Sequence, residues 1–354
     1  MMILVNGGPP GIIYGLLVAV FYYSLIDLSL SEVWINFCGW MFSLASLMQI
    51  SSNVAVSMYA VYHLDNYHVG TFFVLVGGVV TIIVLAAMPA RHASNHFVWA
   101  SFNENNATGW PSEVAFLLGV LNGAFTIGTP DSVTHMAEEL PQPRKDLPKA
   151  IMLQILFGFV FAFCFAVALS YAIADMTALQ GGFNTFPLTN IYVQATTNTS
   201  GIRSLVAAFG LLFIMLGCTL TCCVGLTLTV SRTYWALARD NAVPLSRLFG
   251  KVDGKLSCPV WSTLFVCLGA IPLGSPTAFL ALAGSFIILT SVSYAIPFTA
   301  NMLSGRKYFP KGPFHLGKAG YPINAFAVLS IVVFDVLFCF RKPDPELIEM
   351  SGGY

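Results

Sequence analysis

The chain has 354 residues, of which 16 are basic and 16 acidic, while 56% are hydrophobic. A soluble domain carries about 25% charged residues, so the 9% found here leaves too little polar surface to face water. The net charge of zero argues against a nucleic-acid binder, and no such partner is expected.

Charge-free runs occupy residues 1–26, 33–64, 66–90, 114–130, 150–174, 204–231 and 256–305. A helix of about 20 apolar residues crosses the roughly 30 Å of hydrocarbon in a bilayer. These runs and the apolar stretch 322–340 predict nine spans, near 11–30, 37–60, 69–88, 112–139, 150–174, 204–230, 259–272, 277–301 and 322–340. The run 256–305 holds two of them, parted by the breaker cluster Pro272-Leu273-Gly274-Ser275-Pro276. Barrel strands would alternate apolar and polar residues over about 10 positions, and these runs do not. The fold class is all-α, a polytopic helical membrane protein of about nine transmembrane helices.

In chain order, the first residues carry no charged segment and no small-residue cleavage site, so they do not read as a signal peptide. Gly11-x-x-x-Gly15 and Gly119-x-x-x-Gly123 are small-residue patterns that let helix backbones approach. Asp27 and Asp335 lie near span ends, where they would reach back to the interface. The eight cysteines sit almost entirely in apolar runs and read as packing residues rather than a disulfide or metal framework.

Twelve of the 16 basic residues fall in three stretches, 141–149, 231–257 and 304–318, which marks these as cytosolic. The intervening loops 89–113 and 175–203 hold one basic residue each, Arg91 and Arg203. They also hold the two N-x-S/T sequons, at Asn106 and Asn198, which are candidate glycosylation sites on the outer face. Two independent signals thus agree on the orientation from residue 89 onward.

The fourth predicted span meets Gly128-Thr129-Pro130-Asp131 after roughly 16 residues. Proline lacks an N–H and clashes with the preceding turn, so the hydrogen-bond ladder should be interrupted there. Broken backbone inside a bilayer is tolerated where it is buried or lines a wet cavity. An acid beside the break marks a site, because intramembrane carboxylates are costly. The plainer alternative is a kinked helix with Asp131 already at the cytosolic interface. His135 with Glu138 and Glu139 has the spacing of metal ligands on a helix, yet an acidic helix end before a basic loop accounts for it, so no metal is expected. No phosphate loop, nucleophile elbow or zinc signature is present, and neither an enzyme nor a cofactor is expected.

The run Asp131-Ser132-Val133-Thr134-His135-Met136-Ala137-Glu138-Glu139, with Pro143-Arg144-Lys145-Asp146-Leu147-Pro148-Lys149-Ala150 after it, resembles a family pattern. It is similar to the sixth helix and following loop of the fungal amino acid/choline (GABA) permeases, in the amino acid–polyamine–organocation superfamily. Further matches are Asn6-Gly7-Gly8-Pro9, Ser29-Leu30-Ser31-Glu32, Gly39-Trp40, Gly109-Trp110-Pro111, Gly274-Ser275-Pro276 and Ser231-Arg232-Thr233-Tyr234-Trp235 through Arg239-Asp240. The resemblance implies a LeuT-type core of two inverted five-helix repeats, with the site at the midplane between interrupted first and sixth helices. It implies a secondary active transporter for amino acids or small ammonium compounds such as GABA or choline, working by alternating access with a coupling proton. The lipid bilayer is its other partner and the plasma membrane its expected location.

Carried onto this chain, the substrate-binding residues are Gly128, Thr129, Pro130 and Asp131. Free N–H groups there would hold a substrate carboxylate; alternatively Asp131 pairs with a cationic nitrogen or takes up a proton. Trp40, Phe125 and Phe286 are candidate cation–π contacts for an ammonium group, with packing as the alternative. Glu138 and Glu139 with Arg144, Arg232 and Arg239 would form a cytosolic gate, or else a solvated charge cluster of little energetic weight.

The chain also departs from that pattern. Residues 1–340 form a single transmembrane domain in which 112–301 is a complete second repeat, 322–340 an additional span and 341–354 a short polar tail. The first repeat, within 1–88, is incomplete: only the tail of a first helix is expected at Met1–Pro10, and a loop is missing after Glu32. On the resemblance, residues 61–68 are expected to join the third helix directly to what resembles the fifth, without a fourth, and no twelfth helix is expected within the sequence. With 89–113 outside, the span 69–88 begins in the cytosol, so the short link reverses the orientation of everything before it. The alternative expectation is therefore an inactive, truncated or mis-spliced fragment of such a permease.

Overall fold

An apolar chain in hydrocarbon must satisfy its backbone polar groups within itself, and helices do so segment by segment. The computed structural model describes residues 8–27, 73–102, 110–127, 142–176, 179, 187–197, 204–254, 258–270, 279–305 and 317–339, and no strand occurs among them. In order they form α1 (Gly8–Asp27), a π-type turn (Phe73–Gly77) leading into α2 (Gly78–Ala87), α3 (Asn95–Trp99), α4 (Ser112–Ile127) and α5 (Pro143–Ala172). Then follow α6 (Pro187–Ala195), α7 (Leu205–Arg239), α8 (Ser246–Phe249), α9 (Val260–Ala270), α10 (Phe279–Leu303), a 3-10 turn (Gly317–Ala319) and α11 (Gly320–Cys339).

Lys145–Ala172, Leu205–Arg239, Gly284–Leu303 and Gly317–Cys339 are long and apolar enough to cross a membrane. Pro9–Phe21, Leu75–Ala87, Ser112–Ile127 and Val260–Gly269 are shorter apolar helices. Each of these eight coincides with an expected span; the remaining one, 37–60, lies outside the described residues. Large apolar side chains stand exposed along them, among them Phe157 at 59% and Val206 at 84%. Such surfaces would aggregate in water and are what a lipid-facing helix presents.

Two helices overrun their expected spans. α5 starts at Pro143, so the basic stretch through Lys149 forms its first turns rather than a loop. Proline is favoured there because the first N–H groups of a helix lack partners anyway. α7 is 35 residues long, about 52 Å at 1.5 Å per residue, so its last turns stand clear of the hydrocarbon and carry Arg232 and Arg239. Asn241, at φ 58°, ends it in a left-handed cap. The Ala242 N–H donates to the Leu237 carbonyl at 2.9 Å and the Asn241 N–H to the Ala238 carbonyl at 3.1 Å, the Schellman arrangement.

The chain forms two compact units, one of Met1–Val18, Ile50–Thr126 and Phe157–Cys222, the other of Ala19–Gln49, Ile127–Leu156 and Cys223–Tyr354. In the first, a core cluster joins Leu85, Ile173, Ile191, Tyr192, Leu211 and Leu212, so α6 is held against α2, α5 and α7. The loops after α2 and α5 meet at one end of α5. The Ala93 N–H donates to the Tyr171 carbonyl at 2.9 Å, the Trp99 indole N–H donates to the Tyr171 hydroxyl at 3.0 Å, and that hydroxyl donates to Asn95 Oδ1 at 2.9 Å. Gln194 accepts from the Ala174 N–H at 3.2 Å and donates to the Asp175 carbonyl at 3.0 Å. The two loops expected outside thus share the end of α5 opposite its basic first turns.

The small-residue patterns meet as well. A Cβ placed on Gly15 of α1 would lie 3.2 Å from the Gly119 carbonyl oxygen and 3.7 Å from Val120 Cα on α4. Backbone touches backbone here, as the two Gly-x-x-x-Gly patterns require.

Tyr192 is 1% exposed, and burial, reinforced by the thiol of Cys218, pushes its phenol above the ordinary 10.0. The phenol is neutral in the folded chain, so its contribution to stability is present below about pH 10 and is lost as pH rises. Thermal unfolding in detergent should therefore show a midpoint that falls above about pH 10, and Tyr192→Phe should soften that fall. An identical alkaline decline in both proteins would mean that Tyr192 does not titrate in unfolding.

In the second unit, α8 folds back beneath the end of α7. The Trp235 indole N–H donates to the Gly250 carbonyl at 3.1 Å and the Ser262 hydroxyl to the Phe249 carbonyl at 2.8 Å. Tyr234 stacks on Phe265 with ring centroids 4.6 Å apart, and Phe249 closes the cluster at 5.2 Å from each. The Ser231–Asp240 motif is thus the anchor of the loop after α7, built on a helical extension.

Candidate functional site

α4 carries the chain toward the expected break. Its Ala115, Leu118, Val120, Leu121, Ala124 and Ile127 are buried, and the Thr126 hydroxyl donates to the Asn122 carbonyl at 2.9 Å one turn before the helix ends. The proposed substrate residues Gly128, Thr129, Pro130 and Asp131 lie outside the described residues, as do Glu138, Glu139, Trp40, Asn106 and Asn198. Arg144 lies on the first turn of α5, and its side chain is likewise outside them. Of the aromatic candidates, Phe125 is partly buried on α4 and Phe286 is 1% exposed on α10. Arg232 is partly buried. The Arg239 guanidinium stacks on Trp235 at 4.9 Å from the ring centroid and lies 3.8 Å from the Asp240 carboxylate. Both partners of that ion pair are half-exposed or more, so the contact is worth little by itself. Among the described residues no group of three or more His, Cys, Asp or Glu side chains is arranged to hold a metal.

The sequence misplaced one acid. Asp335, expected to reach back to the interface from a span end, is 7% exposed. It lies four residues before α11 ends at Cys339, near the span end as expected, and only its inward rotation departs from that expectation. Helical phase explains the difference: Asn324, Ala327, Ile331, Asp335 and Phe338 form one buried face of α11. That face packs along α10, where Thr290, Ser291 and Ser293 are all fully buried. Ser291 Oγ is 2.7 Å from Asp335 Oδ1, joining the two helices. Polar links between membrane helices are worth about 0.6 kcal/mol on average and up to about 1.7. Asp335 Oδ2 and both amide atoms of Asn324 are buried without a hydrogen-bond partner among the described residues. The signal was present in the sequence: Asn324 and Asp335 are separated by three helical turns, and a span that is apolar all round turns such residues inward.

The sequence pattern of the family described as amino acid permease matches residues 10–349. The chain belongs to the amino acid permease family. It is an integral membrane protein, and its all-helical, polytopic character is that of its family. A choline transporter of Saccharomyces cerevisiae is 34% identical over 281 residues, covering 78% of this chain and 48% of the relative. An amino-acid permease of Arabidopsis thaliana is 31% identical, covering 78% of this chain and 54% of the relative. The GABA-specific permease of Saccharomyces cerevisiae is 26% identical, covering 73% and 46% respectively. The chain therefore spans about half the length of the curated relatives it matches.

Proposed function

We propose that the chain acts as a secondary active transporter of amino acids or small ammonium compounds such as GABA or choline, by alternating access and with a proton as coupling ion. The observation that carries this reading is the family match along residues 10–349, supported by relatives named for choline, GABA and amino acids. The substrate site is proposed at Gly128, Thr129, Pro130 and Asp131, with Glu138, Glu139, Arg144, Arg232 and Arg239 as cytosolic gate and the plasma membrane as location. Uptake of radiolabelled choline, GABA and amino acids into cells lacking endogenous permeases tests it. Saturable uptake of one of them, stimulated by external acid, is the expected result; no uptake of any, with the chain present at the cell surface, overturns it.

A second reading is favoured by the eight residues 61–68 between two expected spans, an interval that on the expected topology would reverse the orientation of the spans before it. On that reading the chain as written is an inactive form of a longer permease. Genomic reading frame for a further helix between residues 60 and 69, bounded by splice signals, would support it; uninterrupted coding sequence across the link would not.

A further inference from the structure

Counting protons at the α10–α11 interface assigns a role to Asp335. Ser291 Oγ has three close oxygen neighbours: the Ile287 carbonyl at 2.6 Å, the Ile288 carbonyl at 3.0 Å and Asp335 Oδ1 at 2.7 Å. A hydroxyl has one proton to give and two lone pairs with which to accept. The contacts to Ile287 and to Asp335 both lie in the range of real O–H···O bonds, and a single hydroxyl proton gives only one of them a full bond. A backbone carbonyl supplies no proton. A proton on the Asp335 carboxyl would serve the second contact, donating to Ser291 Oγ while Ser291 donates back to its own helix.

The surroundings point the same way. The stretch 279–303 that forms α10 contains no Asp, Glu, Lys, Arg or His, and Asp335 is the sole charged residue type in 320–339. The titratable groups on the packed elements are the phenols of Tyr294 and Tyr321, the Cys339 thiol and the exposed Lys318 of the 3-10 turn. Lys318 is 17 residues away, about 25 Å along the helix axis. α1 touches α11 through Phe21 against Phe326; the side chains of Tyr22, Tyr23 and Asp27, which follow on α1, lie outside those described. Arg341 and Lys342 follow α11 outside the described residues. No described cation lies against Asp335, and an unpaired carboxylate buried there is costly.

We propose that Asp335 and Ser291 form a proton-binding site between α10 and α11, separate from the expected substrate break. In the loaded state the carboxyl O–H donates to Ser291 Oγ. On release the proton leaves as a hydrated proton, the carboxylate remains, and the Ser291 hydroxyl turns from the Ile287 carbonyl to donate to Asp335 instead. The bond between the helices persists with its direction reversed, so loading changes charge with little movement. Assigning this proton to transport rests on the permease reading; the site itself does not.

pH-difference infrared spectroscopy on the purified full chain in lipid reads the site without any substrate. The expected spectrum contains a C=O band of a protonated carboxyl that shifts in D2O and bleaches as pH rises. Asp335→Asn should remove this band, Asp335→Glu and Ser291→Ala should move it, and Asp131→Asn should leave it in place. Absence of such a band in the wild type overturns the proposal, and so does a band that survives Asp335→Asn. A band erased by sodium at constant pH overturns it in favour of a metal-cation site. The wild-type spectrum and the two band-moving variants decide the matter even where Asp335→Asn fails to fold. Because no uptake is measured, a failed transport assay and a failed proton site are told apart.

Discussion

Gly15→Leu is expected to abolish recovery of the folded chain from membranes. The atoms that a side chain would meet are the carbonyl oxygen of Gly119 at 3.2 Å, its carbon at 3.5 Å and Val120 Cα at 3.7 Å. All three belong to the α4 backbone, so no rotamer change relieves the clash and the whole helix must move. Overpacking costs about 1–3 kcal/mol when side chains can adjust, and here they cannot. Total stabilities are only about 5–15 kcal/mol. Two comparisons isolate the cause. A Cβ on Gly77 meets Ile214 Cγ2 at 2.6 Å, a side-chain methyl rather than backbone but one held by a stiff β-branched χ1, so Gly77→Ala should destabilise by overpacking within about 1–3 kcal/mol, less than Gly15→Leu. A Cβ on Gly158 meets nothing within 4 Å, and Gly158→Ala should gain about 0.4–1 kcal/mol by restricting the unfolded chain. Tryptophan-fluorescence melting in detergent ranks the three; a Gly15→Leu chain that melts with the wild type would show that α1 and α4 stand apart.

The ordering expected from that series was legible in the sequence only in part. The Gly-x-x-x-Gly patterns named the residues, yet nothing in the sequence paired Gly15 with Gly119 rather than with another helix. Span positions were well marked, because the cost of charge in hydrocarbon writes them directly into the charge pattern. Helix ends were not: α5 reaches back to Pro143 and α7 on to Arg239, since a helix may continue into water where hydropathy has stopped speaking. Asp335 was misread for a related reason. Hydropathy reports depth along a span and says nothing about rotation around it, so a buried acid and a snorkelling one look alike. The break at Gly128–Asp131 was read from backbone chemistry, and it remains a proposal of the sequence, as its residues lie outside those described.

Asp131→Asn is the substitution with the largest expected effect on uptake, and its kinetic form distinguishes two roles. Asparagine keeps the size and loses the charge. If Asp131 pairs with the substrate's cationic nitrogen, a primary ammonium such as that of GABA loses a charge-assisted hydrogen bond worth about 1.5–3 kcal/mol, which is roughly a 10- to 150-fold rise in KM. Choline, whose nitrogen has no N–H, loses only the attraction between charges. The acid stimulation of uptake would then survive. If Asp131 instead takes up the coupling proton, KM changes little, while the maximal rate collapses and its dependence on external pH disappears. A carboxylate-bearing substrate adds a further contrast, because Pro130 has no N–H and only Gly128, Thr129 and Asp131 can donate from the backbone there. Those donors survive Asp131→Asn, so a substrate held chiefly by its carboxylate should lose less affinity than choline, which has none. Uptake unchanged by Asp131→Asn would remove Asp131 from the mechanism altogether. Acid-driven uptake that persists in that variant and is lost in Asp335→Asn would place the coupling proton between α10 and α11.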